Sequence, residues 1–281
     1  MTAQREGETA VEREARAAVA ANPLWYHAME VAPGVETPGW FDLRPIVDKL
    51  PWPDVRGKRC LDIGTYDGFL AFELERRGAA EVVATDISDH DRWDWPPRLR
   101  LAGPQYIAAV AGHKGAGFAI ARELLGSAVE HRELSVYDLT PSEELGTFEV
   151  VVCGSLLLHL RDPLGALEAI RSVCDGWFLS ADHVELGLSL VHPRLPLVHV
   201  DGTSSGLQWW RPNARAHRQM LEAAGFDVER ESGIYAIPFG AGHPVRRERR
   251  SARGVATALA RRVVAGNDGV PHHAVLARPV V

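Results

Sequence analysis

The sequence predicts an α/β fold: a doubly wound sheet, mostly parallel with an antiparallel last strand, preceded by a helical and irregular segment. Three observations predict it. From Arg59 onward, short apolar runs alternate with amphipathic ones, the pattern of strands joined by crossover helices. The run Phe148 to Gly154 is apolar throughout, as a central parallel strand covered on both faces should be. The stretch LDIGTYDG, Leu61 to Gly68, sets two glycines at the turn between the first strand and the next helix.

Residues Thr9 to Ala21, rich in Glu and Ala, read as a helix. The next segment, WYHAMEVAPGVETPGWFDLRPIVDKLPWP, is dense in Pro, Gly and Trp and reads as irregular, leading into a short helix at Leu43 to Leu50. Its aromatics Trp25, Tyr26, Trp40 and Phe41 are too many for a linker and are expected to pack against something. Strand one is Arg59 to Ile63, followed by a helix at Phe69 to Arg77. Strand two is Glu81 to Asp86. A Trp- and Pro-rich bend leads to a helix around Ile107 to Leu125, and strand three is about Val129 to Val136. Strand four is Phe148 to Gly154, a helix covers Pro163 to Val173, and strand five is Gly176 to Ser180. A histidine-bearing loop follows, about 181–212, and then a helix at Asn213 to Ala224 stopped by Gly225. Strands near Val228 to Ile237 and His273 to Ala277 flank an arginine-rich helix, about Arg247 to Val264. The expected organisation is an N-terminal helix and aromatic-rich lid over 1–55 and one α/β domain over 56–281, with a long loop over about 181–212.

The chain has 281 residues, is 46% hydrophobic and carries a net charge of −6. A core of that size needs no disulfide or metal staple, and the acidic balance gives no general push toward nucleic acid. Cys60, Cys153 and Cys174 form no CxxC pair and show no zinc-ligand spacing, so no metal is expected. The N-terminus lacks the apolar block of a secretory signal, and no run approaches the ~18 apolar residues of a membrane span. The expected location is the cytoplasm.

In a doubly wound sheet, ligands bind at the carboxyl ends of the strands, beside the first strand–helix turn. Gly64 and Gly68 let a ligand approach the backbone there, and helix amides favour negative charge. Asp86 ends strand two, where an acid binds ribose hydroxyls. Dinucleotides and S-adenosylmethionine both fit this Rossmann-like arrangement. A dinucleotide wants G-x-G-x-x-G so that its pyrophosphate can lie on the helix. Here the middle glycine is Tyr66, which argues for the cofactor without a phosphate.

Taken together, these pieces resemble a class I S-adenosylmethionine-dependent methyltransferase. WYHAMEVAPGVETPGWFDLR, LDIGTYDGFLAFELERRGAAEVVATDIS, GSLLLHLRDPLGALEAIRSV, WWRPNARAHRQMLEAAGF and PHHAVLARP are similar to the group around the tRNA wobble-uridine carboxymethyltransferase. The resemblance implies that Asp62, Gly64 and Thr65 hold the methionine part of S-adenosylmethionine. It implies that Asp86 holds the ribose, with Ile87, Val136 and Tyr137 around the adenine. Gly154 and Ser155 would run under the sulfonium, and Trp40 would close over the cofactor. One departure stands out. The carboxymethylating enzyme grips an extra carboxylate with a lysine upstream of the PGV region and a Tyr–His–Arg sequence after strand four. Here those places read His27 and Leu158–His159–Leu160. An apolar pair cannot partner a carboxylate, which implies plain S-adenosylmethionine and methyl transfer.

Methyl transfer needs nucleophile, methyl and sulfur in line, and a hydroxyl acceptor benefits from a general base. His183 and Asp182, after strand five, are the first candidates for that base; His159 follows, and His27 is a further one in the roof of the pocket. Trp25, Tyr26, His27, Trp209, Trp210 and Asn213 are candidate substrate contacts, since rim aromatics can hold an aromatic or sugar-like acceptor. The expected acceptor is a small molecule, with a tRNA wobble uridine as the alternative, resting on the basic run Arg246, Arg247, Arg249, Arg250 and Arg253.

Overall fold

The computed structural model describes residues 9–101, 114–203, 207–244 and 261–280. The chain opens with helix α1 (Ala10–Ala21), closed at its start by a reciprocal bond pair between Thr9 and Glu12. Strands β1 (Glu30–Ala32) and β2 (Val35–Glu36) form a small antiparallel pair. Then come β3 (Arg59–Ile63), α2 (Phe69–Arg76), β4 (Glu81–Asp86), α3 (Pro97–Leu101), α4 (Ala116–Leu125), β5 (Glu130–Glu133) and β6 (Phe148–Gly154). They are followed by α5 (Pro163–Val173), β7 (Cys174–His183), α6 (Leu186–Val191), β8 (Val198–Val200), β9 (Trp210–Pro212) and α7 (Ala214–Ala223). The last strands are β10 (Phe226–Glu231), β11 (Tyr235–Ile237) and β12 (Val270–Pro279).

The main sheet runs β5-β4-β3-β6-β7-β12-β10, with β11 also on β12. The pairs from β5 to β7 are parallel, and β12 is antiparallel to its neighbours. The expected mostly parallel sheet with an antiparallel last strand is therefore present, and that strand, β12, lies between β7 and β10. From β3 the chain builds outward through β4 and β5, then returns to place β6 on the other side. The carboxyl ends of β3 and β6 thus diverge and leave a cleft.

Alternation along the strands splits the core into two layers. Cys60, Val150 and Val152 face Phe69, Leu70 and Phe118 on one side. Leu61, Val151 and Cys153 face Leu167, Ile170 and Leu221 on the other. Successive side chains of a strand point to opposite faces, so strands buried on both sides must be apolar at every position. The three cysteines are free and buried.

Several bounds differ from expectation. Between Leu43 and Leu50 only a 3-10 turn forms, Val47–Lys49, confined between Pro45 and Pro51. Strand β7 is ten residues long because β12 pairs with it through His183, opposite His272. Asp182 and His183 are therefore its last two residues, not part of a loop. The expected loop 181–212 contains α6 and the two-stranded β8–β9 sheet among its described residues. The start of the helix expected from Ile107, and the basic run Arg246 to Arg253, lie outside the described residues. No helix among the described residues is long and apolar enough to cross a membrane.

Candidate functional site

Two loops wall the cleft, one after β3 and one after β6. Each carries a non-glycine residue with left-handed backbone: Tyr66 at φ +53° and Ser155 at φ +52°. Such conformations are costly for residues with a Cβ and cluster at sites where the chain is held for a purpose. Gly68 starts α2 at φ +96°, and a Cβ there would lie 2.4 Å from the Phe72 ring and 2.9 Å from Phe118. Only glycine lets that helix begin so close to the ligand loop.

On one flank lies a pocket lined by Ile63, Gly64, Asp86, Ile87, Val136 and Tyr137 together with Arg92, Asp94, Leu134, Ser135, Leu156 and Leu160. Five of the ten residues expected around the cofactor thus share one pocket. Asp86 is 8% exposed. Its Oδ2 accepts from the Tyr66 amide at 2.8 Å, and its Oδ1 from the Ile87 amide at 2.8 Å and Lys114 Nζ at 2.6 Å. Lys114 in turn sits 4.3 Å from the Trp93 ring centre and 5.2 Å from that of Tyr66. Asp94 fastens the outer wall: its Oδ2 accepts from the Tyr137 hydroxyl at 2.5 Å and the Arg161 amide at 2.8 Å. Burial, with that bond to Asp94, raises the Tyr137 hydroxyl well above its ordinary range.

The end of β3 and the loop after it hold buried polar atoms without hydrogen-bond partners among the described residues, Asp62 Oδ2 and Thr65 Oγ1. Burial pushes the Asp62 carboxyl up to about 6. Unmet polar atoms in the interior are costly, and these two suit a ligand that brings hydrogen-bond donors. Gly154 ends β6 above Leu70; a Cβ there would come 2.8 Å from Leu70 Cδ1.

The N-terminal segment docks onto the same loop through Asp67, which is 1% exposed. Asp67 Oδ2 accepts from the amides of Tyr26 and His27 at 2.7 and 2.9 Å, and Oδ1 pairs with His27 Nδ1. The Tyr26 ring packs 4.8 Å from that of Tyr66. Trp40 stands against Tyr26 and His243, at 6.3 and 6.1 Å between ring centres.

On the β7 side, His183 is largely buried and its Nδ1 has no partner among the described residues. Burial, reinforced by His272 and Arg211, pushes its ring down to about 3, so it is neutral at physiological pH. Its ring stacks 5.8 Å from His272, whose Nδ1 donates to the Val270 carbonyl at 2.9 Å. His272 Nε2 is therefore left to accept from the Ser155 hydroxyl at 2.9 Å.

Three expected site residues, Trp25, Asn213 and Asp182, have their polar groups spent within the fold. Trp25 is 2% exposed, and its indole N–H donates to the Val19 carbonyl at 3.0 Å, so it is core rather than a substrate contact. Asn213 is fully buried at the start of α7; it accepts from the Ala216 and Leu197 amides and donates to the His192 and Leu195 carbonyls. All its bonding capacity is spent, leaving none for substrate. Asp182 accepts from the amides of Leu157 and His183 at 2.8 and 2.7 Å and holds the loop after β6 in place. Burial still pushes its carboxyl up to about 7, but both its oxygens are engaged with backbone, which corrects its reading as a cleft-facing base. His159 Nδ1 donates to the Leu207 carbonyl at 2.8 Å. Trp209 and Trp210 are half-buried, with indole N–H groups bonded to the carbonyls of Asp94 and Leu160 at 2.6 and 2.9 Å. Sequence reasoning missed Asp67, Asp94, Lys114 and His272 as parts of the site. Only Asp67 carried a signal, lying inside the glycine loop itself.

A family model described as a methyltransferase domain matches residues 42–231, more than half of the chain. A ubiquinone biosynthesis O-methyltransferase of Acinetobacter baumannii (strain AYE) is 24% identical over 206 residues, 68% of this chain and 74% of that protein. One from Neisseria meningitidis serogroup C (strain 053442) is 30% identical over 120 residues, 43% of this chain and only 41% of that protein's length. Among solved structures, a chain from the complex that pairs the Haloferax volcanii Trm112 methyltransferase activator with a second protein matches at a TM-score of 0.53 and 13% identity. It covers 85% of this chain and 88% of that one, and shows the shared fold.

Proposed function

We propose, from the premise that this chain belongs to the methyltransferase-domain family, that it transfers a methyl group from S-adenosylmethionine to a hydroxyl of a small molecule. The protein is an S-adenosylmethionine-dependent methyltransferase; the acceptor and the residue roles are our reading. The observation that carries it is His183, a buried, neutral imidazole with an unpartnered Nδ1, stacked on the histidine that binds Ser155. An amine acceptor can lose its proton to water, whereas a hydroxyl gains most from a base held in place.

When bound, the cofactor supplies an electrophilic methyl on a positively charged sulfur. Asp62 and Thr65 offer their unpartnered oxygens to its methionine end, with Gly64 giving backbone access. Asp86 accepts from its ribose, and Ile87, Val136 and Tyr137 flank the adenine. Gly154 and Ser155 line the floor beneath the reacting centre. His183 accepts a hydrogen bond from the acceptor's hydroxyl at Nδ1 and orients it; burial makes the ring a weak base, so it draws off the proton only as the new bond forms and the hydroxyl acidifies, with His159 the second candidate. Tyr26, His27, Trp209 and Trp210 border the acceptor's space, and Trp40 closes the roof. In this reading 1–55 is the lid and 56–281 the catalytic body, with acceptor contacts drawn from 181–212.

By resemblance we place the chain near the tRNA wobble-uridine carboxymethyltransferase group, but as a methylating relative. Leu158 and Leu160, where that enzyme grips a carboxylate, are buried and apolar. The test is incubation with labelled S-adenosylmethionine and a cell extract, followed by fractionation. Label is expected in small molecules, and His183→Gln should lower its incorporation while leaving cofactor binding intact. Label in RNA, or full activity of the variant, would overturn the assignment.

A further inference from the structure

We propose that Lys114 is a second reader of the cofactor's ribose, forming with Asp86 a donor–acceptor pair matched to a cis-diol. This rests on the reading of Asp86 as the ribose-binding carboxylate.

A carboxylate offers about four lone-pair positions, two on each oxygen. Asp86 Oδ1 spends both, on the Ile87 amide at 2.8 Å and Lys114 Nζ at 2.6 Å. Oδ2 spends one on the Tyr66 amide at 2.8 Å. One position is left, and a ribose presents two neighbouring hydroxyls. Asp86 alone cannot accept from both while Lys114 is in place.

Lys114 supplies the missing partner. An ammonium has three N–H donors and no acceptor, and only one is used on Asp86. A hydroxyl both donates and accepts, so one ribose hydroxyl can donate to Asp86 Oδ2 while its neighbour accepts from Lys114 Nζ. The ammonium is also held in position. It lies over the rings of Trp93 and Tyr66 at 4.3 and 5.2 Å, a cation–π arrangement. The side chains of Lys114 and Asp86 are only 10% and 8% exposed, so solvent screens the pair little. The two residues are 28 positions apart; Tyr66, Trp93 and Lys114 come from three separate segments that meet only around Asp86. Tyr66, the residue that displaces the middle glycine of a dinucleotide loop, thereby gains a use: its amide orients Asp86 and its ring seats Lys114.

The test is calorimetric binding of S-adenosylhomocysteine and its 2′-deoxy and 3′-deoxy analogues to the full chain and to Lys114→Met, Lys114→Arg and Asp86→Asn. Lys114→Met is expected to weaken S-adenosylhomocysteine about tenfold or more, the scale of one charge-assisted hydrogen bond, and Lys114→Arg to recover part of the loss. In the natural chain both deoxy analogues bind more weakly. In Lys114→Met one of them stops being penalised, and the other keeps its penalty. Two results would overturn the proposal: Lys114→Met binding as tightly as the natural chain or tighter, or weakened binding with both penalties unchanged, which would leave Lys114 a purely structural prop. If Lys114→Met fails to fold, as judged by circular dichroism, Lys114→Arg decides: a changed response to just one deoxy analogue supports the proposal, and an unchanged response to both overturns it. If Asp86→Asn also leaves affinity unchanged, the ribose reading of Asp86 falls as well; if only Asp86→Asn weakens binding, that reading stands and the role of Lys114 fails.

Discussion

Replacing His272 with Gln should remove about 2 kcal/mol of acid sensitivity from the fold. His272 lies 4% exposed on β12, and burial pushes its ring down to about 4. Its free value in an unfolded chain is about 6.5. Above pH 6.5 both states hold the ring neutral, and its contribution is fully present. As the pH falls, the unfolded chain takes up a proton that the folded ring refuses, so stability is lost until about pH 4. Each pH unit inside that window costs about 1.4 kcal/mol, so going from pH 7 to pH 5 costs about 2 kcal/mol. The loss comes from burying a charge rather than from breaking a bond, since the Ser155 hydroxyl could turn and accept from a protonated ring. Asp182 and Asp62, pushed up to about 7 and about 6, act in the opposite direction over the same range. They are common to both proteins and cancel in the comparison. The assay is urea unfolding of the natural chain and His272→Gln at pH 7 and pH 5. The stability advantage of the natural chain should shrink by about 2 kcal/mol at pH 5. The same advantage at both pH values would refute the reasoning.

Three other substitutions probe the site from different sides. His183→Gln should lower kcat by about 10²-fold or more with little change in KM for the cofactor, and a matching rise in KM alone would mean that the ring only shapes the pocket. Asn213→Ala strips α7 of its cap and strands two amides and two carbonyls; the expected loss is about 2–4 kcal/mol in chemical denaturation, and a loss under about 0.5 kcal/mol would contradict a structural role. Gly39→Ala would put a Cβ 2.1 Å from the Ala28 amide nitrogen, at φ +46°, so the N-terminal segment should undock and become sensitive to limited proteolysis, with cofactor affinity reported alongside by calorimetry; protection equal to the natural chain would show that the backbone shifts at little cost.

Much of the sheet was legible because its strands are short and buried on both faces. β3, β4 and β6 carry the expected bounds, since local apolar runs bordered by Gly, Asp or charged turns leave no other register. α5 was equally plain, with Asp162 capping it and Pro163 at its first turn. The length of β7 was not legible, because its last two residues, Asp182 and His183, are strand only through pairing with β12, some 90 residues later. Asp182 and His183 stand side by side in the sequence as candidate bases, with His183 first and Asp182 second. Their roles separated only when the fold turned one carboxylate onto the backbone of the β6 loop and left the neighbouring ring nitrogen unpaired.

By itself the sequence determined the alternation of strands and helices, the glycine loop and the acid at the end of the second strand, because each is a local pattern with a local physical cause. Tertiary structure alone decided which polar groups are spent and which remain for chemistry. Asp67 closes on His27 across 40 residues, Lys114 on Asp86 across 28, and Ser155 on His272 across 117. Hydrogen-bond capacity is settled by partners that folding brings together, and neighbours along the chain carry no record of them.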